Sequence, residues 1–414
     1  MTVSVFPRII RDGLVVDFDP AYNTSFNSSE NRLLYSQEFN TGWSTDNCTV
    51  TANSLLAPDG TTTADTLVST ITGGNNNGYV QQVPASLPTG TVYTYSVFLK
   101  RGTSPTTLVN LFVVSPYTEV TGLITWGVNP TIAYGFGGAA TSATLLANSF
   151  IDVGNGWYRV SLTMSISSGT SFACRVYIRG QGTNNVSGET VHVWGAQLER
   201  TRTASDYTPT TVSAITRSAT LTNTVSALYP GTISGVVQYH PLSTGSFYFD
   251  NTAGNFISLY TLPDTFWNAS SWSVSSWVRG DVLKTDNAVL GHGSAVGNGA
   301  LHLGIRGAIP YFGFFGNDWA GPAIISANIW YHLVWVYDNA QKQKIIFVNG
   351  VLVAQSSLTG GVGYIGTGSN TEIGRYPWDQ GYRMQGYIGR TQIYNRALGV
   401  SEVSQIYSSL AAGT

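Results

Sequence analysis

The sequence predicts an all-β protein built of two jelly-roll β-sandwiches, with a short C-terminal helix. Only 10% of the 414 residues are charged and 43% are hydrophobic, a balance that favours packed cores over disorder. Short segments of alternating apolar and polar residues recur along the chain, separated by turn residues such as Pro58-Asp59-Gly60. Repeated short strands at this spacing are typical of a sandwich or jelly roll.

The two ends of the chain carry the first and the last predicted strands. Residues 13–19 form the first, which Pro20 ends, and residues 387–394 form the last. An amphipathic helix is predicted at residues 402–410. These segments resemble the opening and closing elements of laminin-G-like, concanavalin A-type jelly rolls. The resemblance implies that residues 14–18 pair with residues 388–394.

The middle of the chain has a different pattern. Its segments include Asn31-Arg-Leu-Leu-Tyr-Ser-Gln-Glu-Phe39, Tyr93-Thr-Tyr-Ser-Val-Phe-Leu-Lys100 and Val193-Trp-Gly-Ala-Gln-Leu-Glu199. In order and spacing they resemble the carbohydrate-binding-module-like jelly rolls of phage structural proteins. Similarity to the laminin-G-like pattern then resumes near Leu221. The resemblances imply that residues 1–30 and 211–414 form one sandwich, and that residues 31–210 form a second sandwich inserted into the first.

Composition narrows the classes of partner. The formal net charge is -2 and there is no basic run, which disfavours nucleic acid and anionic membrane surfaces. No segment approaches the roughly 20 apolar residues that span a membrane, so no membrane insertion is expected. The start of the sequence also lacks the pattern of a secretion signal. Cys48 and Cys174 either pair or stay free as core thiols, and low cysteine use favours free thiols.

No catalytic constellation is present in the sequence. Hydrolysis of a glycan needs two carboxylates about 5 to 9 Å apart, and concanavalin-type glycanases place them as Glu-x-Asp-x-x-Glu, which is absent here. The five histidines are scattered singly, without zinc-ligand spacing. The nearest acidic pair, Asp17 and Asp19, is interpreted as structural, with calcium binding as the alternative. We therefore expect no enzyme, no catalytic residue and no cofactor other than possible calcium.

Two predicted loops combine aromatic with polar side chains, which suits sugar binding. Aromatic rings stack on pyranose rings, while amides and carboxylates bind the hydroxyls. The candidate residues are Tyr376, Trp378, Asp379, Gln380 and Tyr382 in one loop, and Asn317 and Trp319 in the other. Trp43 and Trp126 are further candidate platforms in the middle of the chain.

The two resemblances together imply a bacteriophage virion component at the virion surface. It would be a tail-fibre or spike protein, or a capsid-decoration protein, with a glycan-binding or host-adhesion role. Its partners would be capsid or tail proteins, a host surface glycan and further copies of itself, with a trimer favoured over a dimer. Two alternatives stay open: an architectural capsid-decoration protein without a ligand, and a glycoside-active or secreted polysaccharide-binding protein.

Overall fold

The computed structural model describes residues 10–20, 30–73, 78–84, 87, 91–113, 117–138, 143–166, 171–180, 185–216, 220–235, 237–240, 245–260, 262–356, 363–368 and 370–411. The chain divides into two compact units. The outer unit consists of Met1–Ser28 and Ser218–Thr414, and the inner unit is the stretch Ser29–Arg217 between them. The inner unit thus extends past residues 31–210 at both ends. Both units are antiparallel jelly-roll sandwiches, so the predicted fold class is confirmed.

The elements follow one another in chain order. The outer unit begins with β1 (Leu14–Phe18). The inner unit contains β2 (Ser44–Asp46), β3 (Cys48–Leu55), β4 (Ala64–Ser69), β5 (Tyr79–Gln82), β6 (Thr91–Arg101), β7 (Thr106–Val113), β8 (Thr118–Thr125), β9 (Thr131–Gly138), β10 (Ala143–Gly154), β11 (Trp157–Ile166), β12 (Phe172–Tyr177) and β13 (Thr190–Glu199).

The outer unit then resumes. Its elements are β14 (Thr220–Leu221), β15 (Gly231–Ser234), β16 (Gln238–His240), β17 (Ser246–Asp250), β18 (Phe256–Leu259), α1 (Asp264–Asn268), β19 (Trp272–Gly280), β20 (Asn287–Gly293), β21 (Ala300–Arg306), β22 (Ile309–Gly313), β23 (Asp318–Ala320), β24 (Tyr331–Asp338), β25 (Gln343–Val348), β26 (Val351–Gln355), β27 (Thr371–Ile373), β28 (Arg375–Tyr376), β29 (Asp379–Arg383), β30 (Gln385–Tyr394) and α2 (Val400–Ala411).

The outer unit is a sandwich of two sheets. Sheet A has the order β16-β17-β30-β19-β24-β25-β26, with β1 also paired to β30. Sheet B has the order β14-β15-β18-β27-β20-β21-β22-β23. The core between them is rich in aromatic residues, including the fully buried Trp267, Trp272 and Trp335. The indole nitrogen of Trp335 donates to the carbonyl of Tyr311 at 2.9 Å, which satisfies its one polar atom.

The first and last strands of the outer unit pair, as predicted. Leu14 lies opposite Tyr394 and Phe18 opposite Thr391 in antiparallel register. Helix α2 follows β30 and packs its buried Val403 and Ile406 in a cluster with sheet A. Burial of this apolar helical face stabilises the end of the chain. Neither helix of the described chain has the length and apolarity needed to cross a membrane.

Asn349-Gly350 forms a two-residue hairpin turn in sheet A. The two residues connect β25 to β26 and have φ angles of 51° and 78°. A two-residue turn with both φ angles positive matches the right-handed twist of paired strands, and asparagine and glycine tolerate it best.

The inner unit is likewise a sandwich of two sheets. Sheet C has the order β2-β5-β12-β7-β8-β9, and sheet D the order β10-β11-β6-β13-β4-β3. Cys48 and Cys174 are both buried and free, so the thiols are not paired. Trp43 and Trp126 are buried as well, and their indole nitrogens donate to Tyr35 and Thr107. Neither tryptophan offers a ring face for sugar binding, which corrects that expectation.

Candidate functional site

The site is built on the face of sheet B that points away from the core, called here the outer face of sheet B. Strand alternation divides β21 and β22 between the two faces. Leu301, Leu303 and Phe312 enter the core. His302 and Tyr311, which alternate with them, therefore lie on the outer face, and their rings stack with centroids 5.4 Å apart and 14° between the planes.

Glycines leave room on this face for a covering hairpin. A Cβ on Gly304 would lie 2.5 Å from the hydroxyl of Tyr376, and one on Gly291 would lie 2.9 Å from the Tyr376 backbone. Strands β28 and β29 form the hairpin that brings Tyr376 there. Because neither glycine has a side chain, Tyr376 packs closely over this face and is only 1% exposed.

Trp378, at the turn of the hairpin, stacks on Tyr376. The two rings are 5.5 Å apart and within 7° of parallel, and Trp378 is half-buried. Tyr382 and the exposed Phe315 flank the indole, with ring centroids 6.0 and 5.6 Å from that of Trp378. The indole nitrogen faces the carbonyl of Leu301 at 3.4 Å. The name Trp378 cluster is used below for the side chains of His302, Phe315, Tyr376, Trp378 and Tyr382.

A carboxylate anchors His302 beneath the hairpin. His302 Nε2 lies 3.1 Å from Asp318 Oδ1, and its Nδ1 lies 3.0 Å from the carbonyl of Ala300. Burial raises the pKa of Asp318, but hydrogen bonds from His302 and Tyr311 outweigh it and lower that pKa to about 2. Asp318 is therefore an ionised, half-exposed acceptor at the edge of the aromatic cluster.

The structure brings most of the predicted hairpin residues to one place. Trp378 and Tyr382 present partly exposed rings, and Asp379 and Gln380 are exposed beside them. Asp379 Oδ1 accepts a hydrogen bond of 2.8 Å from the backbone of Gly381, which shapes the turn. Tyr376, however, is buried, so it supports Trp378 from below rather than presenting a face of its own.

Trp319 and Asn317 lie elsewhere. Trp319 pairs with Phe312 across β22 and β23 and packs against the same core, so it faces away from Trp378. The carbonyl and Oδ1 of Asn317 both accept from Lys344 Nζ at 2.7 Å. These contacts give Trp319 and Asn317 a packing role in the outer unit and do not join them to the Trp378 cluster.

The sequence patterns did not indicate His302 and Phe315 as neighbours of Trp378, or Tyr311 and Asp318 as neighbours of His302. The alternation of His302 with two leucines could have placed it on an outer face. Its meeting with Asp318 depends on the register of β21, β22 and β23, where Gly313 lies opposite both residues. That register is a tertiary feature that no local pattern specifies.

The two candidate calcium ligands, Asp17 and Asp19, both contact one arginine. Asp17 accepts hydrogen bonds from Arg390 at 2.8 and 2.7 Å, and Asp19 Oδ2 lies 3.3 Å from the same guanidinium. Both carboxylates are buried. Within the described ranges, no three His, Cys, Asp or Glu side chains are grouped so as to hold a metal ion. The interpretation of Asp17 and Asp19 as structural acceptors accounts for this geometry.

Comparison with known proteins relates the outer unit to a fold superfamily. Residues 252–404 match the family model described as the concanavalin A-like lectin/glucanases superfamily. This stretch includes the whole Trp378 cluster and supports the jelly-roll fold of the outer unit. No curated protein sequence matches the chain significantly.

Solved structures show partial likeness at low identity. The binding domain of Paraclostridial Mosquitocidal Protein 1 is 17% identical, with a TM-score of 0.38, and the match covers 46% of this chain and 49% of that one. Ruminococcus gnavus IT-sialidase CBM40 bound to α2,3-sialyllactose is 22% identical, with a TM-score of 0.29 and coverages of 35% and 83%. Domain 4 of AbnA, a GH43 extracellular arabinanase from Geobacillus stearothermophilus in complex with arabinotriose, is 23% identical, with a TM-score of 0.35 and coverages of 45% and 92%. The chain thus spans about half the length of the first of these structures.

Proposed function

We propose that the chain is a non-enzymatic glycan-binding protein whose outer unit binds sugar at the Trp378 cluster. The observation that carries the proposal is the parallel stack of Trp378 on the buried Tyr376. The stack fixes the indole, so little side-chain entropy is lost when a sugar ring packs on its exposed part. The match of residues 252–404 to a lectin and glucanase superfamily supports the proposal.

The polar groups around Trp378 suit a hydroxylated ligand. Asp379 and Gln380 are exposed next to the indole, and Asp318 supplies an ionised carboxylate nearby. Carboxylate and amide oxygens accept from sugar hydroxyls, and the glutamine amide nitrogen donates to them. Apolar stacking with a few convergent polar groups is the usual composition of a small-molecule site. The cluster therefore has the components of a sugar subsite.

Binding of the full chain to a glycan array tests the proposal. Trp378→Ala should reduce binding of the recognised glycan at least tenfold, because the stacking surface is lost. Trp378→Phe, which keeps a flat ring, should retain more of it. The matched control is Trp330→Ala, since Trp330 is half-buried too but packs against Tyr387 of sheet A.

Two results would contradict the proposal. One is unchanged binding by Trp378→Ala while Trp330→Ala loses it. The other is release of reducing ends from a bound polysaccharide, which would make the protein an enzyme. Each variant is first compared with the wild type by thermal unfolding, so that a folding defect is not mistaken for lost contact.

We also propose that the protein is displayed on the surface of a bacteriophage particle, in contact with capsid or tail proteins. The support is the order of the two sequence patterns along the chain. Copies on symmetric particle sites are expected to associate, with a trimer favoured. Antibody labelling of purified particles in electron micrographs tests the location, and light scattering of the purified chain tests the association. Absence of label from every particle would contradict the location.

A further inference from the structure

We propose that the inner unit carries a second, separate binding site, which takes an acidic saccharide on the face of sheet C that points away from its core. The proposal rests on the inner unit alone and does not depend on sugar binding at Trp378. Three observations carry it: a polar row across the sheet, an arginine held between two rings, and a buried amide oxygen without a partner among the described residues.

The polar row is a consequence of strand register. Val80, Val176, Val109 and Val120 point into the core of the inner unit. The residues that alternate with the core-facing ones point away from the core. On the six adjacent strands of sheet C they lie opposite one another, in the order Ser44, Gln81, Arg175, Asn110, Thr121 and Gly135. Since neighbouring strands lie about 4.8 Å apart, the row runs about 24 Å across the sheet. That length suits an extended chain of sugars.

Arg175 is at the centre of the row. Its guanidinium carbon lies 4.7 Å from the ring centroid of Tyr79 and 4.1 Å from that of Phe112. Its Nε donates to Gln81 Oε1 at 2.7 Å and one terminal nitrogen donates to the hydroxyl of Tyr177 at 3.0 Å. Two rings and two hydrogen bonds hold the guanidinium in one orientation before any ligand arrives.

Among the described residues, no carboxylate forms an ion pair with Arg175. The second terminal nitrogen of the Arg175 guanidinium also has no hydrogen-bond partner among them. Two stacked arginines of the outer unit differ in this respect. Arg306 lies over Tyr311 and pairs with Asp286 at 3.1 Å, whereas Arg375 pairs with Glu372 at 2.7 Å. A partly exposed guanidinium that is oriented but unpaired is complementary to an anionic group.

The carboxylates on this face are already engaged. Asp46 hydrogen-bonds the hydroxyl of Tyr79, and Glu119 accepts from Asn110 Nδ2 and from the hydroxyl of Tyr117. Asn110 is 1% exposed, and its Oδ1 has no partner among the described residues. An unsatisfied buried acceptor is costly and is relieved when a hydroxyl donates to it.

These features favour a saccharide that carries carboxylates. The carboxylate would bind the free edge of Arg175, and hydroxyls would bind Gln81, Thr121 and Asn110 Oδ1. The row offers small polar side chains rather than apolar pockets, which suits sugar hydroxyls better than the side chains of a peptide.

The experiment measures binding of the full chain by calorimetry to oligosaccharides containing uronic or sialic acid. Each is tested beside its carboxyl-reduced counterpart, and poly-glutamate serves as the acidic peptide. We expect at least one acidic saccharide to bind and its reduced counterpart to bind at least tenfold more weakly. Arg175→Gln should cause a similar loss, and Arg175→Lys, which keeps the charge without the planar fork, an intermediate one.

Two control variants distinguish binding at Arg175 from a general effect of positive charge and from binding at the Trp378 cluster. Arg101→Gln removes the same charge from an exposed position of the inner unit and should bind like the wild type. Trp378→Ala should also bind the acidic saccharide normally. The proposal is overturned if no acidic saccharide binds, if folded Arg175→Gln and Arg175→Lys both bind as the wild type does, or if poly-glutamate binds as tightly as the best saccharide.

Discussion

The carboxylate of Asp17 accepts two hydrogen bonds, of 2.8 and 2.7 Å, from the guanidinium of Arg390, which lies 373 residues later in the chain. Both side chains are largely buried, with exposures of 7% and 11%. The pair joins β1 to β30, the first and last strands of the outer unit, which stand on either side of the inner unit in the sequence. Planar, bidentate pairing of this kind fixes geometry as well as charge.

Removing one partner of this pair should destabilise the outer unit. Asp17→Asn removes the bidentate carboxylate from Arg390 and leaves only Asp19, 3.3 Å from the guanidinium, as its buried charge partner. Losing these charge-assisted hydrogen bonds should lower the free energy of unfolding by about 2 kcal/mol. Urea unfolding of the variant and the wild type measures the difference. Asp12→Asn is the control, because Asp12 pairs with Arg396 while 87% exposed, and it should change little. Equal effects of the two substitutions would show that the buried pair has no special role.

The outer unit should fold without the inner unit, which is the domain organisation we propose. All strand partners of sheet A and sheet B belong to the outer unit. Replacing residues 32–209 with a short flexible linker should therefore leave a cooperative thermal transition. Differential scanning calorimetry of the shortened chain measures it, with residues 29–217 alone as the companion sample. Loss of cooperative melting would indicate that the units stabilise one another.

The fold was predictable because strand alternation and turn chemistry are local. Asn349-Gly350 specifies its hairpin from two residues, and the pairing of residues 14–18 with 388–394 followed from a family resemblance carried by both ends of the chain. The inner unit, by contrast, continues past residue 210, because long-range contacts such as the bridge between Asn31 and Ile215 join the later residues to it.

The candidate site was predictable only in part. An aromatic loop with turn residues pointed to Trp378, but the burial of Tyr376 depends on glycines in β20 and β21. The inner-unit row depends on the register of six strands, and Arg175 carries no local signature. Features that require several strands to align are specified by packing and not by a window of sequence.

A buried histidine should make the stability of the outer unit depend on pH. His332 is fully buried, and its ring centroid lies 5.4 Å from that of Trp277 and 5.9 Å from that of Tyr407. Its Nε2 bonds Ser275 Oγ at 2.8 Å, while Nδ1 has no partner among the described residues. Burial lowers the pKa of His332 from 6.5 to about 3.

The direction of the pH effect follows from this lowered pKa. Between pH 6.5 and 3 the unfolded chain binds a proton at His332 and the folded chain does not. The contribution of His332 to the free energy of unfolding is therefore fully present above pH 6.5. It is lost as pH falls toward 3, by an amount on the order of 5 kcal/mol. Urea unfolding at several pH values measures the slope. His332→Gln should flatten it, and an unchanged slope in that variant would assign the effect to other groups.

Gly313 should be intolerant of even one added carbon. A Cβ at this position would lie 1.7 Å from His302 Nε2 and 2.5 Å from Asp318 Oδ1. Gly313→Ala must therefore displace the His302 ring from beneath the hairpin, at a cost of about 2 kcal/mol. The ring centroid of His302 also lies 5.4 Å from that of Trp378. The variant should therefore bind the recognised glycan more weakly than the wild type.

Two further variants separate crowding at His302 from a general effect of alanine. Gly297→Ala should leave stability and binding unchanged, because a Cβ there has no neighbour within 4 Å. Adding His302→Ala to Gly313→Ala removes the clash and should recover part of the lost stability, though not the binding, because Trp378 still lacks a neighbour. Thermal unfolding and glycan binding are measured on all three. If Gly313→Ala is as stable as Gly297→Ala and binds as well, the position of the hairpin does not depend on His302.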